Sequence, residues 1–136
     1  AQKMHQYLQS GHALTGDTFL RSITYALATN EVNAAMGVIC ASPTAGSCGV
    51  LPGVLLAAQE HMQCSDEDVV LALFCAGAIG LVVANNAMIS GAAGGCQAEV
   101  GTASAMAAAA LTQLRGGTPA MCAHASPNRP AAATRS

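Results

Sequence analysis

The sequence is short of charge: Asp, Glu, Lys and Arg together make up 9% of its 136 residues, against about a quarter in an ordinary soluble domain. Only five residues are Lys or Arg, and the formal net charge is -2. The chain therefore lacks the basic patch that binding to nucleic acid or to an anionic membrane requires, and we exclude both as primary functions. A chain with so few charged residues has an apolar surface, and we expect a partner chain to cover part of that surface.

Aromatic residues are also scarce, at 3% with no Trp. The core must then be built from Ala, Val, Leu, Ile and Met, and such small side chains allow helices to pack at short range. A length of 136 residues fits one domain and is too small for two independent cores.

Signals for secretion and for paired metal-binding thiols are missing as well. The first ten residues are mostly polar, with no basic stretch followed by an apolar run, so we expect no signal peptide and a cytoplasmic location. No two of the six cysteines form a C-x-x-C pair, which leaves a zinc ribbon or a thioredoxin-type site without support. We interpret all six as reduced thiols.

The longest apolar run, Val69 to Ala84, falls short of the roughly 20 residues needed to cross a bilayer. We interpret it as a buried core helix, with a small membrane-associated helical hairpin as the alternative.

Apolar periodicity and capping signals predict an all-α domain of about four helices with glycine-rich loops at helix N-termini. The predicted helices run from a cap at Asp17 or Thr18 to about Met36, from about Val50 to Met62, from a Ser65–Asp68 capping box through the apolar run, and from a loop at residues 90–96 to about Leu114. Gly37 is expected to end the first helix, and Gly116 with Gly117 the last.

The first predicted helix carries a stripe of Leu20, Ile23, Leu27 and Ala34, which we expect to be buried. Asn30 lies on the same stripe, and a buried amide needs hydrogen-bond partners. It is interpreted as a tie between helices, with direct contact to a ligand as the alternative.

Two glycine-rich loops, residues 41–49 and 90–96, each precede a predicted helix. Free N–H groups and the positive end of the helix dipole suit such a junction to phosphate or carboxylate, although glycine loops also serve plain helix packing. Cys96 lies at the mouth of the second loop, where the dipole favours a thiolate that binds metals or attacks substrates; the alternative is a small buried apolar residue. Glu99 is assigned a structural role, as an acid in the first helical turn.

The same residues resemble a known family, the alpha chain of iron-sulfur L-serine dehydratase. The resemblance covers roughly residues 14–119 and rests on NEVNAAMG at 30–37, PTAGSCGVLPG at 43–53, ISGAAGGCQAEVG at 89–101, MAAAA at 106–110 and GGTP at 116–119.

The resemblance implies an enzyme that converts L-serine to pyruvate and ammonia with a [4Fe-4S] cluster held by three cysteines, one iron remaining open as a Lewis acid. It assigns Cys96 as one cluster ligand, gives Cys48 no such role, and implies a beta chain or beta domain and a homo-oligomer as partners. It places the substrate pocket at Pro43, Thr44, Ala45, Gly46, Ser47, Ser90 and Gly91, with the first loop as a carboxylate-binding helix entrance. No residue is singled out as the catalytic base.

The sequence also departs from the family pattern. The segments that carry the other two cluster ligands are missing, Cys122 fits neither of them, Ala93 stands where an acidic residue is usual, and the domain with a Ser-Ser-His-Thr motif is absent. We therefore interpret residues 1–119 as a partial catalytic domain and residues 120–136 as a disordered or non-native tail. The alternative function is that of an inactive helical fragment that only packs against a partner chain.

Overall fold

The computed structural model describes residues 1–87, 89 and 91–126 of the chain. Within these residues there are helices and no strand, which confirms the predicted all-α class. The helices are α1 (Gln2–Gln9), α2 (Asp17–Ala34), α3 (Val50–Met62), α4 (Asp66–Asn86), α5 (Gly91–Leu114) and α6 (Pro119–Ala125). Four of them correspond to the predicted helices, whereas α1 and α6 were not predicted.

The long helix α5 is the centre of the packing, because it contacts α3, α4 and α6, while α2 lies on α3 and α1 on α2. The core is a cluster of aliphatic and small side chains from α3, α4 and α5: Leu51, Leu55, Ala72, Ala76, Met106, Ala107 and Ala110. Four of the seven are alanine, as expected for a core without large rings.

Glycines set the distance between α2 and α3. A Cβ atom placed on Gly53 would lie 2.7 Å from the carbonyl oxygen of Ser22, and one on Gly49 would lie closer still to that of Ala26. Both distances are shorter than real Cβ contacts, so the two backbones approach closely only because these positions lack a side chain.

The buried face of α2 differs from the predicted stripe. Leu20 is buried and Ile23 half-buried, but Leu27 and Ala34 are exposed, and so is Asn30. The stripe is wrong beyond the second turn because the last turns of α2 face the segment before α3 through Asn30 and Asn33 and not through Leu27 and Ala34.

The ends of α2 also differ from their predictions. Its N-cap is Gly16, with Asp17 as an acidic residue of the first turn, and no side chain makes the capping hydrogen bond. At the other end the left-handed residue is Met36, with a φ of 62°, and the N–H of Gly37 donates to the carbonyl of Val32 at 2.8 Å.

The capping box that opens α4 is confirmed. The Ser65 hydroxyl accepts from the backbone N–H of Asp68, and the Asp68 carboxylate accepts from the backbone N–H of Ser65. Hydrogen bonds from the side chain and then the backbone of Ser65 lower the pKa of Asp68.

Helix α4 is buried on one face only, so the prediction of a buried core helix holds for that face and is wrong for the other. Its inner face carries the small residues Ala72, Ala76 and Gly80, and then Val83. Its outward side chains are large and apolar and comprise Val70, Leu71, Leu73, Phe74, Leu81 and Val82. Among the described residues α4 is also the one helix long and apolar enough to cross a membrane by length and composition.

The predicted tail begins too early. Residues 119–125 form α6, which Thr118 caps through a hydrogen bond from the N–H of Met121 and which has Pro119 in its first turn. Cys122 is buried, because α6 folds back onto α5. The rest of the predicted tail, residues 127–136, lies outside the described residues.

The close contact of α2 and α3 gives a first prediction. Gly53→Ala should lower the free energy of unfolding by about 1–2 kcal/mol, because overpacking at Ser22 and Ala26 outweighs the gain in helix propensity. Gly77→Ala in α4 is the matched control: nothing lies within 4 Å of a Cβ there, so it should raise stability by about 0.5–1 kcal/mol. Urea unfolding of both variants measures the difference, and equal effects of the two changes would contradict the packing argument.

The outward face of α4 gives a second prediction. The isolated chain should self-associate, because this face leaves a contiguous apolar surface in water. Phe74, whose exposed fraction is 71%, is the residue to change: Phe74→Glu should reduce the sedimentation coefficient and the tendency to aggregate.

Leu14→Glu is the control for this experiment, because Leu14 is 99% exposed but does not belong to α4. Sedimentation velocity of the two variants and the parent chain compares them. A monodisperse parent monomer, or an equal effect of the two substitutions, would show that the α4 face does not drive association.

Candidate functional site

The segment that joins α2 to α3 contains a compact turn built on two hydroxyl groups. The Oγ atoms of Thr44 and Ser47 lie 2.9 Å apart, and Ser47 and Cys48 are almost fully buried. Ala45 and Gly46, between them, are exposed. The backbone of Ala45 and Gly46 is therefore accessible, and the buried residues Ser47 and Cys48 hold it in place.

Helix α2 supports this turn with two amides. Asn33 donates from Nδ2 to the carbonyl oxygen of Ala45 at 3.0 Å, and the Cys48 thiol donates to Oδ1 of Asn30 at 3.6 Å. Asn30 thus links α2 to the residues before α3, although it is exposed and not buried as the stripe had predicted. Sequence reasoning did not single out Asn33.

The second glycine-rich segment is helical to a greater extent than predicted. Residues from Gly91 belong to α5, but Gly95 has φ 77° and ψ 167° and breaks the helix. A continuous helical segment begins again at Cys96. The predicted junction between a glycine and a helix N-terminus is therefore present, with Gly95 as the glycine and Cys96 as the first residue of the segment. Only a residue without a Cβ adopts this φ readily.

The structure places the predicted site residues in three groups. Thr44 and Ser47 contribute the hydroxyl pair, Pro43, Ala45 and Gly46 the adjoining backbone, and Cys96 an exposed thiol one turn from Glu99. Gly91 is the first residue of α5, and Ser90 lies outside the described residues.

Glu99 joins the two segments. Its carboxylate accepts a hydrogen bond from the Thr44 hydroxyl, and a Cβ on Gly46 would lie 2.6 Å from its Oε1 atom. The half-buried carboxylate therefore lies across the turn that bears the predicted substrate residues. The sequence held a signal for it, since Glu99 is the one charged residue between Asp68 and Arg115.

Glu99 has no cationic partner among residues 1–87, 89 and 91–126. The ion pairs there join the N-terminal amino group to Glu31, and Arg21 to Glu60 at 3.3 Å. A half-buried carboxylate without a counter-ion makes the surface around Gly46 locally negative.

The cysteines fall into distinct environments. Cys40 and Cys96 are exposed, Cys48 and Cys122 buried, and the Cys75 thiol donates to the carbonyl of Ala109 at 3.7 Å. Burial, and then the neighbouring thiol of Cys122, raise the pKa of Cys75. Cys75 is therefore a neutral thiol that packs between α4 and α5.

No group of three His, Cys, Asp or Glu side chains that could hold a metal occurs in the part of the chain that the structure describes. Cys96, exposed at the start of a helical segment, fits a single thiolate ligand. The described residues therefore fit one ligand position of a four-iron cluster and do not fit the whole cluster.

Two depressions lie elsewhere on the surface and are poorly suited to an amino acid. A groove of about 480 Å³ between α2, α3 and α4 is lined by side chains such as Val32, Val38 and Leu73, with no charged group. A smaller one is lined by Asp17 and by polar groups that are already paired: Thr18 with His61 at 3.1 Å, and Glu60 with both Arg21 and Tyr25. The Glu60 hydrogen bond, burial and the Glu60 charge raise the pKa of Tyr25.

Comparison with known proteins gives a consistent result. The family model described as serine dehydratase alpha chain matches residues 1–131. The chain is 58% identical over 125 residues to the probable L-serine dehydratase alpha chain of Bacillus subtilis. The aligned region covers 92% of this chain and 42% of that protein.

Other relatives are similar. The L-serine dehydratase alpha chain of Peptoniphilus asaccharolyticus is 43% identical over 125 residues, 92% of this chain and 43% of its own length. The L-serine dehydratase of Streptomyces coelicolor is 50% identical over 96 residues, 70% of this chain and 21% of its own length. The chain thus spans less than half the length of these relatives. No solved structure matches it.

The thiol environments give a third prediction. At pH 8 iodoacetamide should modify exposed Cys40 and Cys96 well before Cys75, because the raised pKa keeps Cys75 in its unreactive thiol form and burial limits access to it. The lag of Cys75 should shrink as the pH rises above the ordinary range of a thiol, since the thiolate fraction then increases. Peptide mass spectrometry of timed samples measures the order, and a Cys75 rate equal to that of Cys40 at pH 8 would contradict it.

Proposed function

Because the chain belongs to the serine dehydratase alpha-chain family, we propose that the protein it forms part of is an L-serine ammonia-lyase that produces pyruvate and ammonia. The observation that carries the proposal is the meeting of two motif-bearing segments: the Thr44–Ser47 turn and the helical segment that begins at Cys96 are joined through Glu99. They are 55 residues apart in sequence, so the fold has brought them together.

The reaction is an elimination followed by hydrolysis. A base removes the α-proton of L-serine, the hydroxyl group leaves as water, and the resulting aminoacrylate becomes an imine that water converts to pyruvate and ammonia. When bound, a [4Fe-4S] cluster supplies a Lewis acid that makes the hydroxyl a better leaving group.

We assign Cys96 as one thiolate ligand of that cluster. Its exposure and its position directly after Gly95, at the start of a helical segment, support this role, because the thiol is accessible to a metal. The other ligands and the base have no candidate among the described residues.

The turn is proposed to hold the substrate. Ser47 is buried and fixes Thr44 through their hydroxyl pair, and Asn33 fixes the carbonyl of Ala45. These bonds preorganise an exposed backbone at Ala45 and Gly46 against which a small polar substrate can lie. We place this chemistry in the cytoplasm, where thiols stay reduced.

A second function, packing against a partner, is favoured by the outward face of α4. Large apolar side chains such as Leu71, Phe74 and Leu81 are exposed there, which is typical of a surface that another chain covers. A beta chain, a beta domain or a further copy of the chain would meet this need, and the function is compatible with the lyase.

Cysteine substitution in the complete protein gives the fourth prediction. Cys96→Ser should abolish bound iron and lyase activity together, because a serine hydroxyl does not replace a thiolate ligand. Cys75→Ala is the matched control and should cost only about 1 kcal/mol of stability, with iron retained. Iron and sulfide analysis alongside pyruvate formation measures both, and a Cys96→Ser protein with full iron content would remove Cys96 from the ligand set.

The 136-residue chain alone offers a companion measurement. After anaerobic reconstitution with iron and sulfide it should hold no stoichiometric four-iron cluster, because its described residues supply one ligand. Iron and sulfide near four per chain, lost in Cys96→Ser, would show that other cysteines of this chain complete the site.

A further inference from the structure

We propose that Glu99 binds the α-ammonium group of the amino-acid substrate at the Thr44–Ser47 turn and so determines specificity for amino acids over hydroxy acids. This inference rests on the proposed function. It assigns the carboxylate of Glu99 a direct role that its position in the first turn of a helix did not suggest.

The sign of the charge is the first argument. The resemblance had implied a carboxylate-binding entrance at residues 43–47, but the carboxylate of Glu99 already lies against Gly46, with a Cβ position there 2.6 Å from Oε1. A substrate carboxylate at the same place would meet like charge in a partly desolvated setting, which is unfavourable. A cation at this place meets opposite charge, and the ammonium group is the cationic part of serine.

The lack of a counter-ion is the second argument. Neither ion pair in the described ranges, 1–87, 89 and 91–126, involves Glu99, although the side chain is half-buried. It accepts a hydrogen bond from Thr44, and an ionised carboxylate has about four acceptor sites on its two oxygens. Capacity for the N–H donors of an ammonium group therefore remains.

The third argument is that the carboxylate is held in place. Thr44 is fixed by Ser47, and the neighbouring carbonyl of Ala45 by Asn33 of α2. Thr102, one turn further along α5, is buried and bonds to the carbonyl of Ala98 at 2.7 Å. The Thr44 hydroxyl consequently positions the carboxylate from the side of the turn before any ligand arrives, which lowers the entropic cost of binding.

Cys96 lies three residues before Glu99 in the same helical segment, so the two side chains are neighbours on its surface. The ammonium and hydroxyl groups of serine are on adjacent carbon atoms. A serine held by its ammonium group at Glu99 therefore keeps its hydroxyl near the turn of helix that contains Cys96.

Two matched ligands test the inference in the complete protein, with this segment included. Ethanolamine has the ammonium and hydroxyl groups without the carboxylate, and 3-hydroxypropionate has the hydroxyl and carboxylate groups without the ammonium. Titration calorimetry with each ligand should show that Glu99→Gln weakens ethanolamine binding at least about tenfold. Binding of 3-hydroxypropionate should stay unchanged or improve, because a negative charge has been removed.

Glu67→Gln is the matched control, since Glu67 is an exposed acid in the first turn of α4 and lies outside the proposed site; it should change neither affinity. Gly46→Ala provides a second variant in case Glu99→Gln impairs folding. It keeps the charge but displaces the carboxylate, and should also weaken ethanolamine more than 3-hydroxypropionate.

The outcomes separate this inference from the proposed function. If both ligands lose affinity equally in Glu99→Gln, Glu99 only holds the turn; if ethanolamine binding is unchanged, or wild-type protein does not bind it, the ammonium site is wrong. Failure of the wild-type protein to form pyruvate from L-serine overturns the proposed function instead, and the two binding titrations still decide the role of Glu99.

Discussion

The close approach of helices through small residues is the constraint on which the rest of this structure depends. At Gly49 and Gly53 the backbone of α3 and the residues before it contact α2 almost directly, and Ala72 and Ala76 play a similar part between α4 and α5. Because little side-chain volume separates the helices, the crossing of α2 and α3 is fixed by backbone contacts. The Thr44–Ser47 turn immediately precedes α3, so the crossing of α2 and α3 also determines where the turn lies.

In a chain with so few charged residues, a charged side chain that is partly buried has a large effect on the electrostatic potential around it. Glu99 is half-buried and contacts the turn through Thr44, in a stretch that is otherwise uncharged from Val69 to Leu114. Burying such a group costs free energy unless something compensates for it. The described residues offer a hydroxyl donor and no cation, which suits a site that is completed when a cationic ligand binds.

The sequence predicted those features that are local. The bounds of α3, the capping box of α4 and the end of α5 follow from periodicity, capping residues and glycine, all of which act within a few residues. The exposure of Leu27 and Ala34 could not be read in this way, because it depends on where α3 crosses α2. The contact of Thr44 with Glu99 likewise depends on the relative placement of α3 and α5, which joins residues 55 apart. Helix α6 was missed because its short sequence lacks an apolar period, although Thr118 and Pro119 are typical of a helix start.

The two faces of α4 explain why the domain looks incomplete by itself. The side chains on its inner face are small, so α5 approaches closely. A helix that packed against α5 alone could carry polar residues on its outer face. Instead the outer face carries Phe74 and large aliphatic side chains, and a helix that is apolar all round normally lies inside a larger structure. The chain spans less than half the length of the alpha chains of Bacillus subtilis and Peptoniphilus asaccharolyticus, and among the described residues Cys96 is the one ligand assigned to the proposed cluster. The exposed apolar face of α4 and the single ligand assigned to the proposed cluster therefore point to the same need: further protein surface would cover the first and complete the second.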